Sequence, residues 1–247
     1  MLGNADPVKT IVINLERSHK RRELMQRNLD HLHVDFEFFR GIDAWQGEHL
    51  SLSRHDERAS IIDHRKPLTI GEVGCFASHY LLWQRCAMAR EPFVILEDDV
   101  MISEEFPRVL SAARELIGRL RLIRLGIVWD KNQHWRIGHS HGFEVCQYPT
   151  RGIAGTQGYV VSPEGASNLV AHAAVWSLPV DHYMSSDERH GVHSFGIHPL
   201  PVTHADQEAY PTVVGTDRHW ARMKLQVMEF LAGRAARKLN AGANPVD

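Results

Sequence analysis

Apolar and polar positions fall into blocks along this chain, and the period of the pattern changes from block to block. Val8 to Leu15 contains KTIVINL, a β-branched run that predicts a short strand, and the polar stretch behind it carries Leu24 and Leu29 at helical spacing. Phe36 to Phe39 predicts a second strand ending at Gly41, and the polar residues from there to Pro67 predict loop with one short helix. From Gly71 to Arg90 the apolar positions Val73, Phe76, Ala77, Tyr80, Leu81 and Met88 recur with a helical period, and Pro92 closes the segment. Phe93 to Leu96 is an unbroken apolar run, as in a strand buried on both faces, and it stops at Glu97, Asp98 and Asp99. A helix from about Glu104 to Leu120 and a strand from Leu122 to Val128 follow.

The second half has a shorter rhythm. Trp135 to Tyr148 and Gly158 to Val161 predict short strands with glycine turns, and Ser162-Pro163-Glu164 opens a helix, with serine as the cap and proline in the first turn. After about Thr216 the pattern predicts a basic amphipathic helix, with Trp220, Met223, Val227, Phe230 and Leu231 set against Arg222, Lys224, Arg234, Arg237 and Lys238. The final AGANPVD is expected to fray. Alternating β and α units in the first half place the chain in the α/β class with a mainly parallel sheet, and such sheets bind ligands beyond the ends of their strands. The expected division is 1–216 as one domain and 217–247 as helix and tail.

Composition narrows the partners. A chain of 247 residues with 43% hydrophobic and 23% charged residues can bury one large core. Net charge of -2 and a pI near 6.8 supply no global basic field, so no nucleic-acid partner is expected. Cys75, Cys86 and Cys146 are odd in number and lack CxxC spacing, which argues against a disulfide framework or a structural zinc site and suggests a reducing, cytoplasmic setting. MLGNADPVKT does not read as a signal peptide, and no run is long enough to cross a bilayer. The 17 histidines are scattered, so only position can promote one of them.

The sharpest local feature is ILEDDV. Three adjacent carboxylates at the end of a buried strand repel one another and lose hydration unless a cation or strong donors compensate. Oxygen-rich sets of this kind suit Mg²⁺ or Mn²⁺. A solvated acidic turn ahead of the Glu104 helix accounts for the same string.

VINLERSHKRR, GEVGCFASHYLLW, VILEDDV, GTQGYVVSPEGA and PVDHYM, in this order from Val8 to Gln207, resemble glycosyltransferase family 25, the group that builds bacterial lipooligosaccharide cores and includes the collagen galactosyltransferase domains. The resemblance implies a GT-A fold, a Rossmann-like nucleotide-diphospho-sugar transferase domain with a mixed, mainly parallel sheet. It also implies inverting transfer of a hexose, galactose by default, from a UDP-sugar donor to a glycan or lipid-linked oligosaccharide acceptor, with Mn²⁺ or Mg²⁺ as cofactor.

Carried over to this chain, the resemblance puts Glu97-Asp98-Asp99 in the place of a DxD motif, with Asp99 as the first metal ligand and Glu97 facing the ribose or sharing the metal. Glutamate in the first position departs from the strict motif and leaves that division open. His204 is the candidate further ligand. Asn14 and Leu15 end the first strand where the uracil and ribose would lie, and Arg17 with Arg21 or Arg22 would hold phosphate, although a solvated basic helix face accounts for such cations as well. Gly71 and His79 would face the donor, a buried histidine under the sheet being the alternative for His79. Gly155, Thr156 and Gln157 would line the junction of donor and acceptor.

Inverting transfer needs a carboxylate to take the acceptor proton, and Asp181 is the candidate, with Asp187 and Glu188 behind it; Asp181 is also placed to cap a helix. The basic tail would lie on an anionic membrane surface or pack on the domain. Two other classes compete: a sugar nucleotidyltransferase, whose glycine-rich triphosphate loop INLERSHKRR lacks, and a non-catalytic binder of nucleotide-sugar or glycan.

Overall fold

In the computed structural model the described residues are 8–47, 49–130 and 134–204, with Trp129 and Asp130 described by backbone alone. In chain order they form β1 (Lys9–Asn14), α1 (His19–His31), β2 (Phe36–Arg40), α2 (Glu57–His64), α3 (Ile70–Ala89), β3 (Phe93–Glu97), β4 (Val100–Ile102), α4 (Phe106–Leu120), β5 (Leu122–Gly126) and β6 (Trp129–Asp130). There follow β7 (Trp135–Ser140), β8 (Phe143–Gln147), β9 (Ile153–Ala154), β10 (Gly158–Val161), α5 (Pro163–Ala171), α6 (Val180–Met184), α7 (Asp187–His190), β11 (Phe195–His198) and β12 (Val202–His204). The expected loop before Pro67 holds α2 and two 3-10 turns, at Ala44–Gln46 and Leu50–Arg54.

Eight strands make one mixed α/β sheet in the order β2-β1-β3-β10-β5-β11-β8-β7. β1 pairs in parallel with β2 and β3, and β11 with β5, as crossover helices demand. β10 enters antiparallel between β3 and β5, so its first residue, Gly158, lies against Leu96 near the end of β3. This reversal brings the loop before β10 to the acidic end of β3, where Glu97 N donates to Gln157 O at 3.0 Å. A small side ladder pairs β12 with β4 and sets His204 opposite Val100, next to the acids.

β3 reads as an apolar run because Phe93 to Leu96 are fully buried, with one core on each side of the sheet. α3 starts at a complete capping box: Thr69 N donates to Glu72 Oε2 at 2.7 Å and Glu72 N donates to Thr69 Oγ1 at 3.1 Å. Its buried face differs from the sequence reading. Met88 is 77% exposed and Leu81 only half-buried, while Leu82, Trp83 and Cys86 are fully buried. The reason is packing on two sides: α3 meets β10 of the sheet through Trp83 and Cys86 and also packs against α5, and the Phe76 ring stacks on Trp176 at 4.6 Å.

The fifth strand stops at Gly126, short of the expected Val128, and the chain pairs again only as β6 against β9. No helix among the described residues is long and apolar enough to cross a membrane. The expected C-terminal helix and the boundary at 216 and 217 lie outside the described residues.

Candidate active site

A cleft of about 380 Å³ opens beyond the C-terminal ends of β1 and β3. Of the residues predicted for a site, Leu15, Arg17, Arg21, Gly71, His79, Glu97, Asp98, Asp99, Gly155, Thr156, Gln157, Asp181 and His204 line it together. Asn14 and Arg22 do not. Asn14 is buried and donates from Nδ2 to Asp98 Oδ2 at 2.7 Å, so it positions an acid rather than meeting a ligand. Arg22 points the other way, its guanidinium 3.9 Å from the Phe38 ring centre, because a helix turns successive side chains to different faces. Of the two adjacent arginines, Arg21 is therefore the one on the cleft.

The three acids have divided environments. Asp98 is satisfied on both oxygens, by Asn14 and by Arg21 Nη1 at 3.0 Å, yet burial still leaves its carboxyl above the usual range. Asp99 meets the same arginine nitrogen at 3.4 Å, while its Oδ1 is buried without a partner. Burial, together with the charges of Glu97 and Asp98, pushes Asp99 up to about 6. Burial alone would raise Glu97 too, but His79 and a hydrogen bond from Thr156 hold it below the usual range.

His79 is fully buried under the sheet end and supports Glu97. Tyr159 Oη accepts from Trp83 Nε1 at 2.8 Å and lies 2.8 Å from His79 Nδ1. The phenol proton then goes to Nδ1, which puts the imidazole proton on Nε2, facing Glu97 Oε1 at 3.5 Å. His79 thus takes the buried-histidine alternative while keeping an edge on the cleft.

The opposite wall is the 155–157 loop. Gly155 has φ +104°, and a Cβ there would fall 2.3 Å from Gln157 Oε1 and 2.7 Å from Val128 N, so only glycine fits. Gly155 N donates to Asp181 Oδ2 at 3.1 Å, and Asp181 Oδ1 accepts from His182 N at 2.9 Å at the start of α6. Asp181 therefore lines the cleft but does not cap the helix as expected: it lies inside α6, whose N-cap is Pro179 and carries no side-chain bond, because the carboxylate turns to the Gly155 amide instead.

Beneath the loop lies Arg124, a fully buried guanidinium that the sequence analysis passed over. It donates to Gly155 O at 3.0 Å, to Ser185 Oγ at 3.3 Å and from Nε to Ser194 Oγ at 3.3 Å. Burial lowers it to about 10, and the carboxylate of Asp181 counters this from the far side of the Gly155 peptide. Its sequence signal is a charge in the middle of LIRLG, a strand whose other residues are all buried.

The rim adds two more residues missed in the loop reading. Asp43 caps the turn at Ala44–Gln46 and pairs with Arg17, and the turn presents Trp45, 53% exposed, at the mouth. Gly74 allows α3 to approach this segment, since a Cβ there would meet Ile42 O at 2.6 Å. Asp187 and Glu188, the reserve acids, do not line the cleft: they pair with His193 and Arg151 in and beside α7.

Comparison with known proteins identifies the family. A model described as glycosyltransferase family 25 (LPS biosynthesis protein) matches residues 8–184. A glycosyltransferase 25 family member from Aedes aegypti is 36% identical over 188 residues, covering 70% of this chain and 30% of the relative. The lipooligosaccharide biosynthesis protein lic2B of Haemophilus influenzae is 29% identical, covering 71% and 66%. Procollagen galactosyltransferase 1-B of Xenopus laevis is 29% identical, covering 77% and 33%. The chain spans about a third of the length of the animal relatives it matches.

Proposed function

The chain belongs to glycosyltransferase family 25, and from that premise we propose that it transfers a hexose from a nucleotide-sugar to a hydroxyl of a glycan acceptor. The observation that carries the reading is a single cleft with two separate acidic features: an acid cluster with an orphan oxygen on one wall, and Asp181 fixed by backbone donors on the other. A UDP-sugar is the first donor to test, and galactose the first sugar, because relatives carry the name galactosyltransferase. A lipooligosaccharide core or another lipid-linked oligosaccharide is the first acceptor, after the name of the Haemophilus relative.

Asp99, Glu97 and His204 are the residues that would hold Mn²⁺ or Mg²⁺, and an ion would have to draw them together, since they are not among the groups whose donor atoms already lie within 4.8 Å of one another. Asp99 Oδ1 and His204 Nδ1 are both buried polar atoms without partners, and oxygen with one imidazole suits such ions. When bound there, the ion would neutralise charge on the departing diphosphate. The remaining steps belong to the protein. Arg17 and Arg21 supply cations for the diphosphate, and Leu15 and Trp45 offer apolar surface to the nucleoside. Asn14 and Arg21 hold Asp98, while His79 and Thr156 hold Glu97, so the wall is set before the donor arrives. Asp181 takes the acceptor proton as the acceptor oxygen bonds to the anomeric carbon and the bond to the diphosphate breaks on the opposite face, which inverts that centre without a covalent intermediate.

A thermal-shift screen of UDP-sugars, GDP-mannose and UDP, each with and without Mn²⁺, tests the reading. Stabilisation by a UDP-sugar that needs the metal, followed by transfer to a soluble oligosaccharide, is expected. No response to any nucleotide would overturn the transferase and leave the non-catalytic binder.

A further inference from the structure

We propose that His134, Cys146 and His198, with Glu144 beside them, form a second metal site, one for a zinc-class transition-metal cation, at the β7-β8-β11 end of the sheet. None of the four lines the cleft, and the site does not depend on the transferase reading. The cysteine spacing argued against zinc because no cysteines are paired along the chain; here the fold gathers one thiol from β8, one imidazole from β11 and one from the residue before β7.

Strand register does the gathering. Glu144 and Cys146 stand two apart on β8 and so share a face, and on β11 they are met by His198 and Gly196 respectively. His134, just before β7, stacks its ring on His198 with centroids 4.8 Å apart. The three donor atoms of His134, Cys146 and His198 all lie within 4.8 Å of one another. Tetrahedral zinc, with bonds of about 2.0–2.3 Å, needs donors roughly 3.3–3.8 Å apart, so a movement of about an ångström closes the set.

Two further features go beyond a chance cluster. His198 Nε2 lies 2.7 Å from Tyr148 Oη, a contact that fixes the ring as supporting groups around metal-bound histidines do. That contact depends on Gly196, where a Cβ would fall 2.5 Å from Tyr148 Oη, so the missing side chain gives the phenol its place. Cys146 Sγ donates to Glu144 Oε1 at 3.1 Å, which gives the thiol proton a route out as the sulfur–metal bond forms, and offers Glu144 or a water as fourth ligand. A thiolate with two imidazoles favours zinc, cobalt or copper over Mg²⁺ and Mn²⁺, the reverse of the acid cluster in the cleft. Bound metal would clamp the β7–β8 hairpin to β11.

The test titrates the chelator-stripped full chain with Co²⁺. One equivalent is expected to bind with a thiolate-to-cobalt charge-transfer band, which Zn²⁺ abolishes and excess Mg²⁺ does not. Cys146→Ser should remove the band, Cys75→Ser should keep it, and Tyr148→Phe should weaken binding about 10–100-fold. A band that survives Cys146→Ser and vanishes with Cys75→Ser would overturn the proposal by placing the metal at Cys75, His79 and Glu97, the other such cluster among the described residues. Failure of the wild-type chain to bind either ion would overturn it as well. Should Cys146→Ser not fold, zinc-edge X-ray absorption of the wild-type protein decides: one sulfur and two nitrogens support the site, and a shell without sulfur sinks it.

Discussion

Asp99 and Asp181 are both carboxylates of one cleft, yet their surroundings call for different tests. Asp99 carries a partnerless oxygen among like charges, so Asp99→Ala should abolish metal-dependent stabilisation by the donor in the thermal-shift assay. Asp181 is held by two backbone donors, and Asp181→Asn keeps its shape while removing the base. Donor affinity should survive and kcat should fall by about 10²–10⁴-fold; normal turnover would remove Asp181 from its role. Arg124 acts one step back. Arg124→Leu strips the donor from the buried Gly155 carbonyl and should lower kcat far more than donor affinity, with about 1–3 kcal/mol lost in denaturant unfolding.

At the scale of elements, α3 and the 155–157 loop are the two that carry the cleft. α3 is anchored by Phe76, which stacks on Trp176 and tilts against Tyr183 of α6, so one ring joins the helix to the element bearing Asp181. Phe76→Ala should therefore cost about 3–5 kcal/mol and show as a large fall in Tm, with activity recovered at low temperature if the site reforms. The loop is fixed by conformation instead. Gly155→Ala forces a side chain onto φ +104° against Gln157 and Val128 N, and should impair transfer more than stability, read as kcat against Tm.

For the molecule as a whole, pH sensitivity has an identifiable source away from the cleft. His190 is buried, takes a hydrogen bond from Val192 N on Nδ1, and places Nε2 3.0 Å from Tyr183 O, so it is held neutral. Burial lowers it from 6.5 to about 4. A depressed histidine means that the unfolded chain binds a proton the native chain refuses between these pH values, so stability falls as pH drops from about 6.5 towards 4. The full shift corresponds to about 3 kcal/mol. His64 shifts the same way, also chiefly through burial. Denaturant unfolding at pH 7 and pH 4.5 should show the loss, and His190→Gln should reduce the difference between the two. The basic stretch after Thr216 has a separate test: truncation there should spare transfer to a soluble acceptor and weaken binding to anionic vesicles if it is a membrane contact, whereas an unfolded truncate would mean that it packs.

The main strands and helices of the first half were legible because burial writes a period into sequence: β3 is four apolar residues buried on both faces, α3 a long helical repeat. The short β4, β6, β9, β11 and β12 were not, being too brief to show a period. ILEDDV was legible for the same reason, since a sudden run of charge at the end of a buried strand has few bland explanations. The sequence alone could not show that β10 reverses to bring Gly155 to Glu97, that Arg21 and not Arg22 turns inward, or that Arg124 sits beneath the loop. Nor could spacing reveal that His134, Cys146 and His198 converge. Local periodicity reports whether a residue is buried, because that depends on its own element; which residue it meets depends on strand order and register, and these are set only when the whole sheet closes.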